Sequence, residues 1–129
     1  MSFIQTGAVI YAKNMARLAK FYESVAGLEV RETNKNYVRL ESGSFQLVVL
    51  QAPKHIAEAI IISEPPLRRE NTPIKLVFFV ERIGDARERA VTLGGQLNTN
   101  EKEWMFDGHV VCDGHDPEGN VFQLRAPAR

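Results

Sequence analysis

The chain of 129 residues carries 16 Lys and Arg against 16 Asp and Glu, with 44% hydrophobic and 25% charged residues. That length fits one domain, or two small modules sharing a core, and the composition excludes wholesale disorder. Balanced charge argues against a nucleic-acid binder that works by phosphate neutralisation, and Cys112, the single cysteine, excludes an internal disulfide and a Cys-rich zinc site.

In chain order, Ala8 to Ala12 reads as a short strand, and Asn14 follows as a helix N-cap. Met15, Leu18, Phe21, Tyr22 and Val25 recur at helical spacing until Gly27 closes the pattern. Leu28 to Glu32, Tyr37 to Glu41 and Phe45 to Leu50 are strand candidates, the last two joined at Ser42-Gly43. A linker from Pro53 to Pro73 contains Pro65-Pro66 and the run Ile60-Ile61-Ile62, which fits helix or strand equally. Leu76 to Val80 is again strand-like, and Ile83, Ala86, Ala90 and Leu93 recur at helical spacing before Gly94-Gly95. A weakly marked strand near Gln96 precedes His109 to Asp113 and Val121 to Arg125. The turn Asp116-Pro117-Glu118-Gly119-Asn120 separates the last two. No apolar run approaches the roughly 20 residues that span a bilayer, and no cationic segment leads into an apolar core at the start. A soluble, cytoplasmic protein without a membrane partner is expected.

The two halves repeat. Met15 matches Ile83, Leu18 matches Ala86, Tyr22 matches Ala90, Val25 matches Leu93 and Gly27 matches Gly95, all about 68 positions apart. A single α+β domain over residues 1–129 is expected, built from module one (1–52), a linker (53–73) and module two (74–129). Each module reads strand, helix, then three strands. Alternation assigns Ala8, Ile10, Ala12, Val38, Leu40, Phe45, Leu47, Val49, Leu76, Phe78, Val80, Phe122 and Leu124 to the face under the helices. The opposite face then bears Gly7, Val9, Tyr11, Tyr37, Arg39, Gln46, Val48, Leu50, Lys75, Val77, Phe79, Val121, Gln123 and Arg125. That mixture of aromatic, apolar and cationic groups is the composition of a small-molecule cleft.

The segment Ala8 to Val30, with Lys20-Phe21-Tyr22 and Gly27-Leu28, resembles the opening of the vicinal oxygen chelate superfamily. Asp116 to Asn120 followed by Phe122-Gln123-Leu124 resembles its closing hairpin. This group includes glyoxalase I, bleomycin-resistance proteins and extradiol dioxygenases. The resemblance implies paired βαβββ modules that form a curved mixed sheet around a concave cleft, commonly in a homodimer. It leaves activity open. In metal-dependent members four strand positions supply His, Glu or Gln; here they fall at Gly7, Lys75, at or next to Val48, and at Gln123. Glycine and valine offer no donor and a protonated lysine repels a cation, so no metal and no other cofactor is expected at that site. A divalent-metal enzyme of the lactoylglutathione lyase type is the minority reading. A second cluster, His109, Cys112, Asp113, His115 and Asp116, holds ligand-type side chains, but about 20 Å separates residues six apart on a regular strand. The register of the last hairpin leaves open whether Cys112 or Val111 faces the cleft.

Arg39, Lys75 and Arg125 place three cations on the cleft face, with no carboxylate identified beside them, which points to a small anionic ligand. Tyr11, Gln46, Val48, Phe79, Trp104, Phe106 and Gln123 are the accompanying lining candidates. If the protein is catalytic, Lys75, Tyr11 and His109 are the groups able to move a proton, and the reaction is a metal-free lyase or isomerase step.

Overall fold

The computed structural model describes residues 5–128. Module one contains β1 (Thr6–Ala12), α1 (Met15–Val25), β2 (Glu29–Thr33), β3 (Tyr37–Ser42) and β4 (Phe45–Gln51). The linker holds a short helix, α2 (Lys54–Ala59). Module two contains β5 (Leu76–Phe79), α3 (Ile83–Thr92), β6 (Gln96–Leu97), β7 (Trp104–Phe106), β8 (His109–His115) and β9 (Val121–Pro127). Among the described residues, no helix is long and apolar enough to cross a membrane.

Each module builds its own sheet. Module one has the order β1-β4-β3-β2, with β1 parallel to β4 and the rest antiparallel. Module two has β5-β9-β8-β6, with β5 parallel to β9 and β7 added beside β6 on the same edge of β8. The first strand of each module thus pairs in parallel with its last, as a duplication requires. Module two departs from the expected pattern by one strand. Asp107 and Gly108 both have positive φ (50° and 74°), the geometry of a two-residue hairpin turn, and they fold Trp104–Phe106 back onto β8. In the linker, helix ends at Ile60 and the isoleucine run does not form a strand.

The alternation assigned from sequence holds. Leu40, Leu47, Val49, Leu124 and Phe122 are fully or almost fully buried under the helices, while Val9, Tyr11 and Phe79 are exposed on the outer face. The modules share one core. Phe21 and Tyr22 of α1 pack edge-on against Phe122 of β9, at 5.7 Å between ring centroids, and Phe45 of β4 meets Phe78 of β5 at 5.8 Å.

The turn 116–120 locks this arrangement. The Glu118 carboxylate accepts from the backbone N–H groups of Lys13 and Asn14, both at 2.8 Å, so a module-two turn satisfies donors at the start of module one's helix. Asn14 supplies the expected cap to Arg17 N–H at 3.1 Å. Asp116 is wholly buried and accepts from the Tyr22 hydroxyl at 2.6 Å, the Glu118 N–H at 2.9 Å and the Asn120 N–H at 3.0 Å. Burial pushes its carboxyl above the usual range against the pull of those donors. The turn residues Asp116 and Glu118, which carry part of the family resemblance at this end of the chain, are therefore structural.

Candidate functional site

The outer face of module two is the chemically distinctive surface. Register places Trp104, Val111, Arg125 and Phe79 in one row across β7, β8, β9 and β5, with Phe106, His109 and Pro127 in the next row. Phe79, Phe106 and Trp104 are 62%, 55% and 42% exposed, well above what aromatic side chains show in a core. The Arg125 guanidinium carbon lies 4.9 Å from the Phe106 ring centroid and 5.8 Å from that of Phe79, within cation–π range of both. A cavity of about 640 Å³ opens at this corner, where Phe79, His109 and Arg125 meet Val25 to Gly27, Ser42 and the start of α3. The wall made by α3 and the two residues before it carries Glu81, Arg82, Asp85 and Arg89, two acids and two bases.

Arg125 is held from behind. Its Nε donates to Gln123 Oε1 at 2.8 Å, Gln123 Nε2 donates to Asp113 Oδ1 at 3.1 Å, and Lys75 Nζ donates to Asp113 Oδ2 at 2.7 Å. The hydrogen-bonded series runs from Lys75, just before β5, through Asp113 of β8 to Gln123 and Arg125 of β9. Among the described residues no carboxylate pairs with Arg125, so its terminal N–H groups, flanked by two rings, remain available to an anion. His109 stands beside them, edge-on to Phe79 at 5.2 Å. Its Nδ1 lies 2.8 Å from the Asp107 carbonyl, an acceptor, so Nδ1 carries the proton and Nε2 presents a lone pair when the ring is neutral.

The other sequence-predicted residues lie elsewhere. Arg39 sits on the outer face of module one, where Nη1 bonds Glu41 at 2.7 Å and Nε bonds Glu32 at 3.3 Å. Gln46 donates to the same Glu41 carboxylate, and Val48 is the cross-strand neighbour of Arg39. Tyr11, 68% exposed, lines a smaller cavity of about 320 Å³ with Val9, Arg69, Thr72 and Ile74 in the gap between β1 and β5. The expectation that the three cations lack neighbouring carboxylates is corrected: Glu41 and Glu32 neutralise Arg39, and Asp113 neutralises Lys75. Sequence reading did not connect Asp113 to this site, because β7, β8 and β9 must first be paired to bring it between Lys75 and Gln123.

Cys112 is paired with Leu124 on the core side, so Val111 is the one on the opposite sheet face, where it is itself buried. Burial pushes the thiol up, partly opposed by the Arg87 guanidinium 3.6 Å away, which leaves it a poor nucleophile. His115 is buried at the far end of β8, and burial, then the nearby Arg68 charge, hold its ring below the usual histidine range. Asp116 faces Tyr22 rather than either histidine. Among the described residues, no three His, Cys, Asp or Glu side chains converge as metal ligands. The inherited positions fit a cation badly. A Cβ on Gly7 would lie 2.7 Å from the Gln46 carbonyl oxygen, Val48 has no donor atom, and the Lys75 ammonium already occupies Asp113.

Two strand–helix–strand modules sharing a core, with functional groups on the sheet face opposite the helices, define a paired-module protein of the glyoxalase/bleomycin-resistance fold. The family model described as a glyoxalase-like domain matches residues 7–125, and the chain belongs to that family, within the vicinal oxygen chelate superfamily. It is similar in fold to a glyoxalase/bleomycin resistance protein/dioxygenase family enzyme from Burkholderia phytofirmans PsJN: 17% identity, 95% of this chain and 97% of that one covered, TM-score 0.67. The oxidase ChaP-H2 is similar at 17% identity, with 99% and 96% covered and a TM-score of 0.66. A bleomycin resistance determinant encoded on transposon Tn5 is similar at 12% identity, with 97% and 98% covered and a TM-score of 0.59. No curated protein sequence matches the chain.

Proposed function

We propose that this protein binds a small anionic metabolite with an aromatic or acyl body on the outer face of module two, without the metal used by metal-dependent relatives. The observation that carries this reading is Arg125, a guanidinium with no carboxylate partner among the described residues, set between Phe79 and Phe106 at the mouth of the cavity of about 640 Å³. A planar guanidinium accepts a carboxylate bidentately, and the flanking rings exclude water and supply apolar contact to the ligand body. The donor-poor set Gly7, Val48, Lys75 and Gln123 supports metal independence. The test is elemental analysis of protein purified without chelator, with benzoate titrated in EDTA and followed by the fluorescence of Trp104, the only tryptophan. Saturable quenching without stoichiometric metal is expected. Near-stoichiometric metal, or stabilisation by one divalent ion, would move the metal-dependent lyase reading to first place.

His109 favours a second reading, a metal-free lyase or isomerase. Its Nε2 lone pair is free to take a proton from a ligand held on Arg125, whereas Lys75 is engaged by Asp113 and Tyr11 lines the other cavity. Loss of turnover but not of binding in His109→Gln would support it. A homodimer belongs to the same proposal, since Val9 and Tyr11 leave an apolar strip exposed on β1. Light scattering at twice 14.5 kDa is the expected result. A cytoplasmic location, and a ligand rather than a nucleic acid or a membrane as partner, complete the reading.

A further inference from the structure

Lys75, Asp113, Gln123 and Arg125 form an unbroken hydrogen-bonded series whose four members come from the residue before β5 and from β8 and β9. Each link constrains the next. Asp113 is an acceptor, so the Gln123 amide must turn its NH₂ toward Asp113 and its oxygen toward Arg125 Nε. That bond fixes the guanidinium plane, and among the described residues neither terminal nitrogen bonds a protein acceptor. Without a compensating cation, the Asp113 carboxylate, one side chain removed from Arg125 through Gln123, would compete for it. The Lys75 ammonium, at 2.7 Å, offsets that charge.

We propose that Lys75, Asp113 and Gln123 are positioning residues: they fix the orientation of Arg125 and keep its charge available, and so set the affinity of the site for carboxylates. This rests on the binding role given to Arg125 above. The same relay employs two of the four positions at which metal-dependent relatives carry ligands, Lys75 and Gln123, in a fixed network of protein charges.

The test uses the full chain, with benzoate, acetate and inorganic phosphate as probes, and combines affinities with the NMR signal of the Arg125 Nε–H. In the unaltered protein that proton is expected to be resolved and slow to exchange, because it is bonded to Gln123 Oε1. Gln123→Met removes the link without changing charge and should weaken benzoate about tenfold, with loss of the slow Nε–H signal. Gln123→Glu places a carboxylate directly on Arg125 and should weaken it about a hundredfold or more. Lys75→Met should weaken benzoate about tenfold, and Lys75→Arg, which keeps the charge on Asp113, should restore it. Thermal unfolding of each variant separates loss of the fold from loss of the relay. An unprotected Nε–H in the unaltered protein overturns the proposal without any variant. So do unaltered benzoate affinities in Gln123→Met and Lys75→Met, which leave the binding reading itself standing. Failure of the unaltered protein to bind any of the three probes, by contrast, overturns the binding reading and the relay's role with it.

Discussion

The outer faces of the two modules share an architecture and differ in where their charges go. On module one, Arg39 is held by Glu41 and Glu32, and Arg31 is held by Glu29 and Glu41, so the cations end in carboxylates of their own sheet. On module two, Asp113 takes up the charge of Lys75, Gln123 carries the contact onward as a neutral amide, and Arg125 is left between two rings. Tyr11 and Phe79 occupy equivalent positions of the repeat and both are exposed. Each lines a cavity that also holds an arginine, but among the described residues only Phe79 of the two has a guanidinium within cation–π range of its ring. A duplicated scaffold thus places similar side chains on both faces, and the neighbouring acids decide which face is left with an available charge.

The comparison breaks first at Arg125. Arg125→Gln is expected to weaken benzoate about a hundredfold, about 2.7 kcal/mol, while Arg39→Gln leaves the affinity within about twofold. Titrations of the two variants side by side check this, and equal losses would remove the distinction between the faces. Glu118→Ala is expected to cost about 1–3 kcal/mol of unfolding free energy, because it leaves two N–H groups at the start of α1 without their acceptor. Denaturant unfolding reads that cost. Phe106→Ala should weaken benzoate about tenfold, about 1.4 kcal/mol, with a smaller effect for Phe79→Ala, whose ring lies further from the guanidinium.

Acid sensitivity differs between the modules as well. Module one holds no histidine. Burial, and secondarily Arg68, keep the folded-state pKa of His115 below its unfolded value. Its contribution is therefore fully present above the ordinary histidine pKa of about 6.5 and is lost as pH falls below that value, because the unfolded chain takes up the proton first. His115→Gln should flatten that decline in a plot of unfolding free energy against pH; an unchanged slope would assign it to other groups. The smallest effect belongs to Glu41→Gln. It disturbs a partly exposed ion network and should change stability by less than about 1 kcal/mol.

Much of the fold was legible because it rests on periodicity. The 68-position repeat, the Asn14 cap and the buried face of Val38, Leu40, Leu47 and Val49 follow from apolar spacing and turn chemistry, and all form as expected. The extra strand β7 carried a signal too. Asp107-Gly108 between Met105-Phe106 and His109-Val110 is a two-residue hairpin turn of favoured type, and reading it would have placed Trp104 and Phe106 beside Arg125. The face of Cys112 followed only once the pairing of Cys112 with Leu124 was fixed. The candidate site was legible in part. Phe79, Gln123 and Arg125 share a face by alternation alone, and so do Arg39 and Glu41, two apart on β3, but Glu32 and Asp113 are brought to Arg39 and Lys75 only by the pairing of β2 and β8. Local pattern carries no information on those two contacts.

Chemical-shift mapping of benzoate onto the ¹⁵N-labelled, metal-free protein tests most directly whether module two alone is the binding face. The account predicts saturable shifts centred on Phe79, Trp104, Phe106, Val111 and Arg125, with Arg39, Gln46 and Val48 on the outer face of module one unaffected. Shifts centred on Arg39, Gln46 and Val48, or spread equally over both faces, would contradict it.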